Sequence, residues 1–557
     1  MKNRNKSNIR LGFMGPKFLK VALSIIAIGM VCGVLNATVL KKGEEAAIEQ
    51  VAQSTQNGAQ QTSTDQQTQE PQQLQQTQEP QQREIKFESA EHPEDAALRA
   101  QRIKDSTELA LAKRKEMFSK ILDERQLSFN FGSIARGILG VLVIILIAWL
   151  CSTDRKRVNW RTVGMALLLQ FIIAFSVLMF PAVQKFFEVF GKCFVAVLGW
   201  TKAGADFLFG PLMDTTGIGY IFVFQILPTI VFFSALTSLL FYLGILQKIV
   251  WVMGWVMTKL MKVSGAESLS CAGNVFLGQT EAPLMVKEYI PKMSRSELML
   301  IMVSGMATMS GGVLAAYIGM LGCGDPVMTV EFAKHLLSAS VMAAPGAISM
   351  AKILKPETEE VDNTVEVSKE KLGDNVLDAI SIGTTQGLKL AANVAAMLLV
   401  FYALIAGVNY ILNIISIPAF DDWITKVSGG RYTDLSLECI LSYLFTPVIW
   451  LIGVPGNDIG YVARLLGEKL ILTEFIGYGS LTEMLQNSVF SSPKSIVMAT
   501  YVLCGFANFA SIGIIIGGVG GMAPNKQSIL GEYGLRSLLG AALVALVSAS
   551  MVGMFLA

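Results

Sequence analysis

The sequence predicts an all-α polytopic membrane protein. Hydrophobic residues make up 52% of the chain and charged residues only 16%, whereas about a quarter of an ordinary soluble domain is charged. The apolar residues also form long uninterrupted stretches, and several reach the roughly 20 residues that a helix needs to cross a hydrocarbon core of about 30 Å. We therefore expect a multi-pass protein surrounded by membrane lipid.

The first 130 residues differ in composition from the rest of the chain. Residues 1–45 combine a basic start with an apolar run from 21 to 40, which is typical of a signal anchor or a signal peptide, and the length of the run favours a retained anchor. Residues 46–130 are rich in Gln, and the sequence QQTQEPQQ occurs at 66–73 and again at 75–82. Such a segment buries too little apolar surface to fold. We predict a disordered tether that ends in a charged, solvated helix.

The membrane body has two predicted parts, a scaffold of membrane helices in residues 131–260 and a core in residues 261–557. Its apolar runs predict about eight core transmembrane helices, and the amphipathic pieces between them suit interfacial helices. The basic cluster at 155–157 follows the first run and is cytoplasmic by the positive-inside rule, which leaves the tether extracytoplasmic. We expect a bacterial plasma (inner) membrane protein.

Two segments interrupt this pattern, Ser264 to Ile290 and Leu437 to Ser480. Both are apolar, broken by Gly and Pro, and both contain a Thr-Glu pair. Non-helical backbone at membrane depth is tolerated only where it lines a cavity, so each segment is a candidate re-entrant hairpin. Each is followed by a long run of apolar, small and hydroxyl residues. This repeated unit is the sequence sign of an inverted-repeat transport core.

Two glutamates in these segments, Glu281 and Glu474, are the strongest candidates for function. An ionisable side chain at membrane depth is costly unless it faces a polar cavity or a partner. Two structural alternatives stay open at this point. Glu281 could pair with Lys287 as an anchor at the hairpin end, and Glu474 could be an interfacial carboxylate that reaches water.

Asn508 and Ser511 form a third polar feature within an apolar run. Residues three apart share one face of a helix, so the two side chains should lie together. They offer hydrogen-bond donors and acceptors to a ligand. Polar contacts between membrane helices would explain them nearly as well.

A series of motifs carries a family resemblance. In order along the chain they are ILIAWLCSTDRKRVNWR, LGQTEAPL, GMATMSGGVLAAYIGML, GVP, TEF and CGFANFASIGIIIGGVGGMAP. Together they resemble the successive signatures of concentrative nucleoside transporters and cover roughly residues 130 to 557. The resemblance implies two hairpins, two partly unwound helices, three interfacial helices and a homotrimer.

The resemblance also implies the residues that bind a nucleoside. The nucleobase would face Gln279, Thr280 and Glu281. Val313 and Phe506 would pack against the nucleoside. The ribose hydroxyls would bind Glu474, Asn508 and Ser511.

The same resemblance implies a site for a co-transported sodium ion, and no organic cofactor. Its ligands would be the side chains of Asn274 and Thr308 and the carbonyl oxygens of Leu277 and Met309. Neutral oxygens at a hairpin tip and an unwound helix suit a hard monovalent cation. Thr308 stands where the family commonly has Ser and keeps the hydroxyl. Thr473 stands where the family usually has Asn, and so lacks an amide that would orient Glu474.

The expected function is a sodium-coupled symporter that imports nucleosides by alternating access, and the alternative is a proton-coupled one. The composition argues against other classes. A net charge of +2 without a basic patch excludes a nucleic-acid partner. An intramembrane hydrolase would need a nucleophile and base, paired Asp residues or a metal cluster, and a receptor would need a folded sensor domain. We predict no enzymatic activity.

The tether gives the first testable prediction. Because its Gln-rich repeats carry no chemistry of transport, deletion of residues 50–82 should leave nucleoside uptake per inserted molecule within about twofold of the parent protein. Uptake in proteoliposomes, normalised to inserted protein, checks this. A large loss of uptake at normal insertion would show that the tether does more than link segments.

Overall fold

The computed structural model describes residues 131–213, 221–323, 325–359 and 373–556, together with Glu116 and Ser119. The predicted anchor in residues 1–45 and nearly all of the tether lie outside the described residues. Within these ranges every regular element is helical. The all-α prediction is therefore confirmed for the described part of the chain.

The first half of the membrane body runs from α1 to α10. The helices are α1 Phe131–Leu150, α2 Trp160–Met179, α3 Pro181–Phe209, α4 Phe222–Gln225, α5 Leu227–Tyr242, α6 Ile245–Met261, α7 Gly265–Gly273, α8 Arg295–Ala307, α9 Gly311–Gly322 and α10 Pro326–Leu354. Two short 3₁₀ helices, Ala282–Val286 and Ile290–Lys292, lie between α7 and α8.

The second half repeats much of this order. Its helices are α11 Val376–Ile415, α12 Pro418–Ser428, α13 Leu437–Leu451, α14 Ile459–Ile471, α15 Glu474–Gln486, α16 Pro493–Leu503, α17 Phe509–Met522 and α18 Gln527–Gly553. In each half one helix packs on the first arm of a hairpin: α6 on α7, and α13 on α14. An interrupted helix and a final long helix come next, α8 with α9 and then α10, and α16 with α17 and then α18.

Hydropathy and burial divide the helices into a centre and a periphery. Seven helical segments among the described residues are long and apolar enough to cross a membrane. In the most apolar stretch of residues 295–322, 94% of the residues are buried. In the most apolar stretch of α11, only 17% are buried. The interrupted helix α8/α9 therefore lies at the core of the fold, whereas α11 offers most of its apolar surface to its surroundings.

Local sequence specifies where the first hairpin begins and where the helix after it begins. Ser264 and Glu267 form a capping box at α7, and Ser294 and Glu297 form another at α8. In such a box each side chain satisfies a backbone N–H at the helix start that would otherwise lack a partner. The first hairpin therefore begins and ends at sites that the sequence specifies.

A buried cluster ties these helix starts to the end of α10. Lys352 Nζ donates to Glu267 Oε2 at 2.8 Å and to Glu357 Oε2 at 3.3 Å, and Ser294 Oγ donates to Glu357 Oε2 at 2.9 Å. Burial acts to raise the pKa of Glu357, but Lys352 and the hydrogen bonds outweigh it and lower the pKa below its ordinary value. The cluster fixes the base of the first hairpin.

The two interrupted helices touch where both are broken. A Cβ atom on Gly505 would stand 2.4 Å from the carbonyl oxygen of Ala307, a distance at which the backbone would have to move. Gly505 also has φ = +92°, which only glycine adopts without strain. The close approach of α8/α9 to α16/α17 therefore requires glycine at position 505.

The second hairpin is shorter than the interrupted segment at 437–480 that the sequence suggested. Leu437–Leu451 is a separate helix, and the hairpin consists of α14 and α15, from Ile459 to Gln486. Gly453, with φ = +95°, and Pro455 follow α13 and end it. Hydropathy could not separate α13 from the hairpin because both are apolar.

Gly505→Ala should destabilise the protein. The φ strain alone costs roughly 1–3 kcal/mol, and the clash with Ala307 adds to it, so thermal unfolding of purified protein should begin at a clearly lower temperature. Gly513→Ala is the matched control, because a Cβ there has nothing within 4 Å and alanine favours a helix by about 1 kcal/mol. Equal unfolding temperatures for the two variants would contradict the prediction.

Candidate functional site

The tip of the first hairpin inserts between the two interrupted helices. A Cβ on Gly305 in α8 would lie 3.1 Å from Gln279 Cβ, and one on Gly518 in α17 would lie 2.4 Å from Thr280 Cγ2. The absence of side chains at these two positions therefore lets the tip approach both helices. Gln279 is 8% exposed, and its Oε1 is buried without a hydrogen-bond partner. That oxygen is an acceptor available to a ligand.

Glu281 faces a cavity rather than the hairpin base. Its Oε2 accepts a hydrogen bond from the Gly278 N–H at 3.0 Å. The cavity lies between the hairpin tip, the start of α9, α5 and α11. The residues that line it include Ser234, Thr237, Leu277, Glu281, Ser310 and Gln386.

Glu474 lies at the tip of the second hairpin and is only 3% exposed. Tyr317 in α9 donates its hydroxyl to Oε1 at 3.2 Å, and the Asn508 amide donates to Oε2 at 2.6 Å. The carboxylate is therefore oriented from both sides, although Thr473 lacks the amide that the family usually has. A carboxylate so enclosed does not fit the alternative of an interfacial group that reaches water.

Asn508 has two roles because its amide has two ends. Its Oδ1 accepts the Ser511 N–H at 2.8 Å and so caps α17, while its Nδ2 donates to Glu474. Because the cap fixes the side chain, the donor to Glu474 is held in place by the start of the helix. The structure thus brings together Glu474, Asn508 and the start of α17 at Ser511, and their predicted contact with a ribose stays a prediction.

An aromatic group surrounds this polar cluster. The rings of Tyr317 and Tyr478 stack with centroids 4.0 Å apart, and Tyr317 meets Phe475 edge to face at 4.9 Å. Val313, one turn before Tyr317, is 1% exposed, and Phe506 is half-buried against the core. Both lie on the interrupted helices, and their predicted contact with a nucleoside stays a prediction.

The four predicted ligands of a cation lie around the break between α8 and α9. Asn274 Nδ2 donates to Ser304 Oγ at 3.0 Å, and Oδ1 of the same amide is buried with no hydrogen-bond partner. Thr308 donates its hydroxyl to the Ser304 carbonyl at 2.8 Å, which leaves the oxygen lone pairs available. The Gly311 N–H binds the Phe276 carbonyl at 2.9 Å and joins the tip that carries Leu277 to the break at Met309. A buried amide oxygen without a hydrogen-bond partner and a hydroxyl with free lone pairs are ligand types that fit a hard monovalent cation.

Three residues of this region were missed by sequence reasoning. Tyr317 and Tyr478 lie four residues after Val313 and Glu474, so helical spacing could have found them. Lys469 is fully buried and donates to two backbone carbonyls. An ionisable residue in an apolar segment was a signal for it.

Fold and site together are typical of a membrane transporter. The chain has several candidate membrane spans, and its buried carboxylates lie where hairpin tips meet interrupted helices. Among the described residues no group of three or more His, Cys, Asp or Glu side chains could hold a metal.

Sequence comparisons identify the kind of transporter. Three family profiles match in order: "Na+ dependent nucleoside transporter N-terminus" over residues 139–212, "Nucleoside recognition" over 223–324 and "Na+ dependent nucleoside transporter C-terminus" over 335–553. An uncharacterized transporter of Haemophilus influenzae is 40% identical over 429 residues, which are 76% of this chain and 98% of that protein. The chain belongs to the concentrative nucleoside transporter family.

Two further relatives agree with this assignment. The human sodium/nucleoside cotransporter 1 is 36% identical over 429 residues, which cover 74% of this chain and 62% of that protein. A solved structure of CNTnw in an inward-facing substrate-bound state is 38% identical, with a TM-score of 0.69, and the match covers 76% of this chain and 99% of that one. The fold is therefore that of a multi-span, cation-coupled nucleoside transporter.

Proposed function

We propose that this protein is a sodium-coupled symporter that imports nucleosides across a bacterial plasma membrane by alternating access. The observation that carries the proposal is the buried carboxylate of Glu474, held by Tyr317 and Asn508 at the tip of the second hairpin. A buried acceptor of this kind suits the vicinal hydroxyls of a ribose, since each hydroxyl can donate to it.

The two halves of the substrate have separate partners in this proposal. Glu474, Asn508 and Ser511 bind the ribose, and Gln279, Thr280 and Glu281 bind the base. Val313 and Phe506 pack against the nucleoside. The unpartnered Oε1 of Gln279 supports the base role, because a base edge offers N–H donors. The cavity beside Glu281 supplies room between the first hairpin and the helices α5 and α11.

Sodium is the proposed coupling ion, with Asn274, Leu277, Thr308 and Met309 as ligands. Two family profiles that match the chain describe Na+ dependence, and the orphaned Oδ1 of Asn274 supports the same site. Because the Phe276 carbonyl is bonded to the start of α9, an ion that holds the tip also holds the base-binding residues that follow it. Ion and nucleoside binding are then linked.

The membrane arrangement completes the proposal. The interrupted helix α16/α17 is the eighth core span, because it corresponds to α8/α9 in order and in contacts. Each hairpin enters and leaves the membrane on one side, and the two hairpins enter from opposite sides because the second repeat is inverted relative to the first. The helices α3, α6 and α13 lie at the interface. The chain assembles as a homotrimer, for which the exposed apolar surface of α11 offers an interface.

Asn274→Ala should raise the sodium concentration for half-maximal uridine uptake by about tenfold, because one ligand is lost and tenfold corresponds to ~1.4 kcal/mol. Uptake into proteoliposomes over a series of sodium concentrations, balanced with choline at fixed pH, measures this. Asn525→Ala is the control, since Asn525 is an exposed residue bonded to the Pro291 carbonyl. Equal uptake by the parent protein in sodium and in choline would rule out sodium coupling.

Glu474→Gln should lower the affinity for uridine by at least about tenfold, because a charge-assisted hydrogen bond is roughly twice as strong as a neutral one. It should also narrow the difference between uridine and 2′,3′-dideoxyuridine as competitors, since the lost acceptor is the group that rejects the analogue. Competition against labelled uridine measures both quantities.

Glu438→Gln is the matched control for this experiment. Glu438 also accepts a hydrogen bond from an asparagine amide, Asn409 Nδ2 at 3.0 Å, but it lies outside the proposed site. Its variant should keep the parent discrimination. If Glu474→Gln discriminates as the parent does at normal insertion, Glu474 does not bind the ribose.

A further inference from the structure

Lys469 is a buried cation that the proposed transport cycle does not use. It lies near the end of α14, is 0% exposed, and its Nζ donates to the carbonyl oxygens of Val502 at 2.9 Å and Cys504 at 2.6 Å. Among the described residues, no carboxylate lies within ion-pair distance of it. The ammonium is therefore bound by backbone oxygens at the end of α16.

The place of this contact has a physical cause. The last carbonyls of a helix have no partner within the helix, and the helix dipole makes that end partly negative. Since α16 ends at Leu503 inside the core, water does not reach these oxygens freely. A cation there satisfies two of them at once, and the oxygens in turn offset part of the cost of burying the charge.

The corresponding end in the first half of the chain is the proposed ion site. There α8 ends at Ala307, and Thr308 is the first residue of the break. In the second half Cys504 takes that place, directly after Leu503. The proposed sodium ligands are Thr308 and Met309 together with Asn274 and Leu277 of the first hairpin. In the second half the second hairpin supplies the ammonium of Lys469 to the carbonyls of Val502 and Cys504.

We propose that Lys469 is a tethered cation: it occupies at the end of α16 the place that the coupling ion occupies at the end of α8, so that one half of the transporter needs no ion. This inference rests on the proposed function, because it assumes that a coupling ion binds at the end of α8. Its consequence is a single coupling ion per nucleoside. It also places a positive charge near Glu474, with which Lys469 interacts electrostatically.

Two substitutions separate a tethered cation from a purely structural contact. Lys469→Met fills the space without charge, so uridine uptake should fall at least about tenfold at every sodium concentration, because two charged hydrogen bonds are lost. Lys469→Ala leaves the carbonyl oxygens and a space beside them. Its uptake should also fall, but should recover several-fold on addition of ethylammonium or at high sodium, with a dependence on sodium steeper than that of the parent.

Lys494→Met is the matched control. Lys494 is also buried and donates to a backbone carbonyl near a helix end, that of Leu556 at 2.9 Å, and to Ser133 Oγ at 3.0 Å, but it lies outside the site. Uptake by this variant, normalised to folded protein, should match the parent. Elution as a single species and the temperature of thermal unfolding show whether each variant is folded.

The outcomes distinguish the two proposals. Two results would overturn the role of Lys469. One is uptake by Lys469→Met equal to that of the parent protein. The other is an equal loss of uptake in the Met and Ala variants that neither ethylammonium nor high sodium restores. If neither variant folds, the reversal potential of the parent decides, because one ion per nucleoside supports the tethered cation and two ions refute it. Sodium-independent uptake by the parent protein would contradict only the proposal that sodium is the coupling ion. The recovery of uptake by ethylammonium in Lys469→Ala does not depend on which ion is coupled.

Discussion

The arrangement of this protein depends on how the ends of interrupted helices are satisfied in an apolar core. Both α8 and α16 stop among buried residues, and each leaves carbonyl oxygens without helical partners. In lipid such groups must find partners within the protein. Asn274 and Thr308 lie at the first end and Lys469 at the second, while Gly505 allows the two breaks to touch. The buried polar side chains therefore lie together at the breaks of the two interrupted helices.

The same constraint explains why the candidate substrate site lies beside the breaks. Where α17 begins, the side-chain oxygen of Asn508 caps the new helix and its amide nitrogen donates to Glu474. The carboxylate is thus oriented by a group that the helix itself requires. A site built in this way is organised before substrate binds, because its polar atoms already have fixed directions. Hydroxyls of a sugar can then compete for acceptors whose position does not change.

The sequence predicted the elements of the site better than their pairing. Composition, apolar runs and the Thr-Glu pairs indicated the helices, the breaks and the carboxylates. The proximity of Asn508 and Ser511 followed from their spacing, but the predicted shared helix face was wrong. Asn508 is the extended N-cap residue of α17, and its side chain accepts the backbone N–H of Ser511. The contact of Glu474 with Tyr317, 157 residues away, depends on which face of α9 meets the second hairpin, and no local pattern contains that information. The start of that hairpin was misjudged because α13 and the hairpin follow each other as one largely apolar segment, and hydropathy does not mark the turn between them.

The two halves of the chain share an order of elements but differ in one chemical respect. A free ion at the end of α8 can leave, so its binding can respond to a concentration gradient. The ammonium of Lys469 is covalently held and cannot be lost from the end of α16. A transporter in which both ends needed free ions would couple two of them to each substrate, at a greater energetic cost per nucleoside. Replacing one ion by a lysine keeps the structural benefit at both breaks and confines the coupling to the first half, where the hairpin tip also carries the proposed base-binding residues.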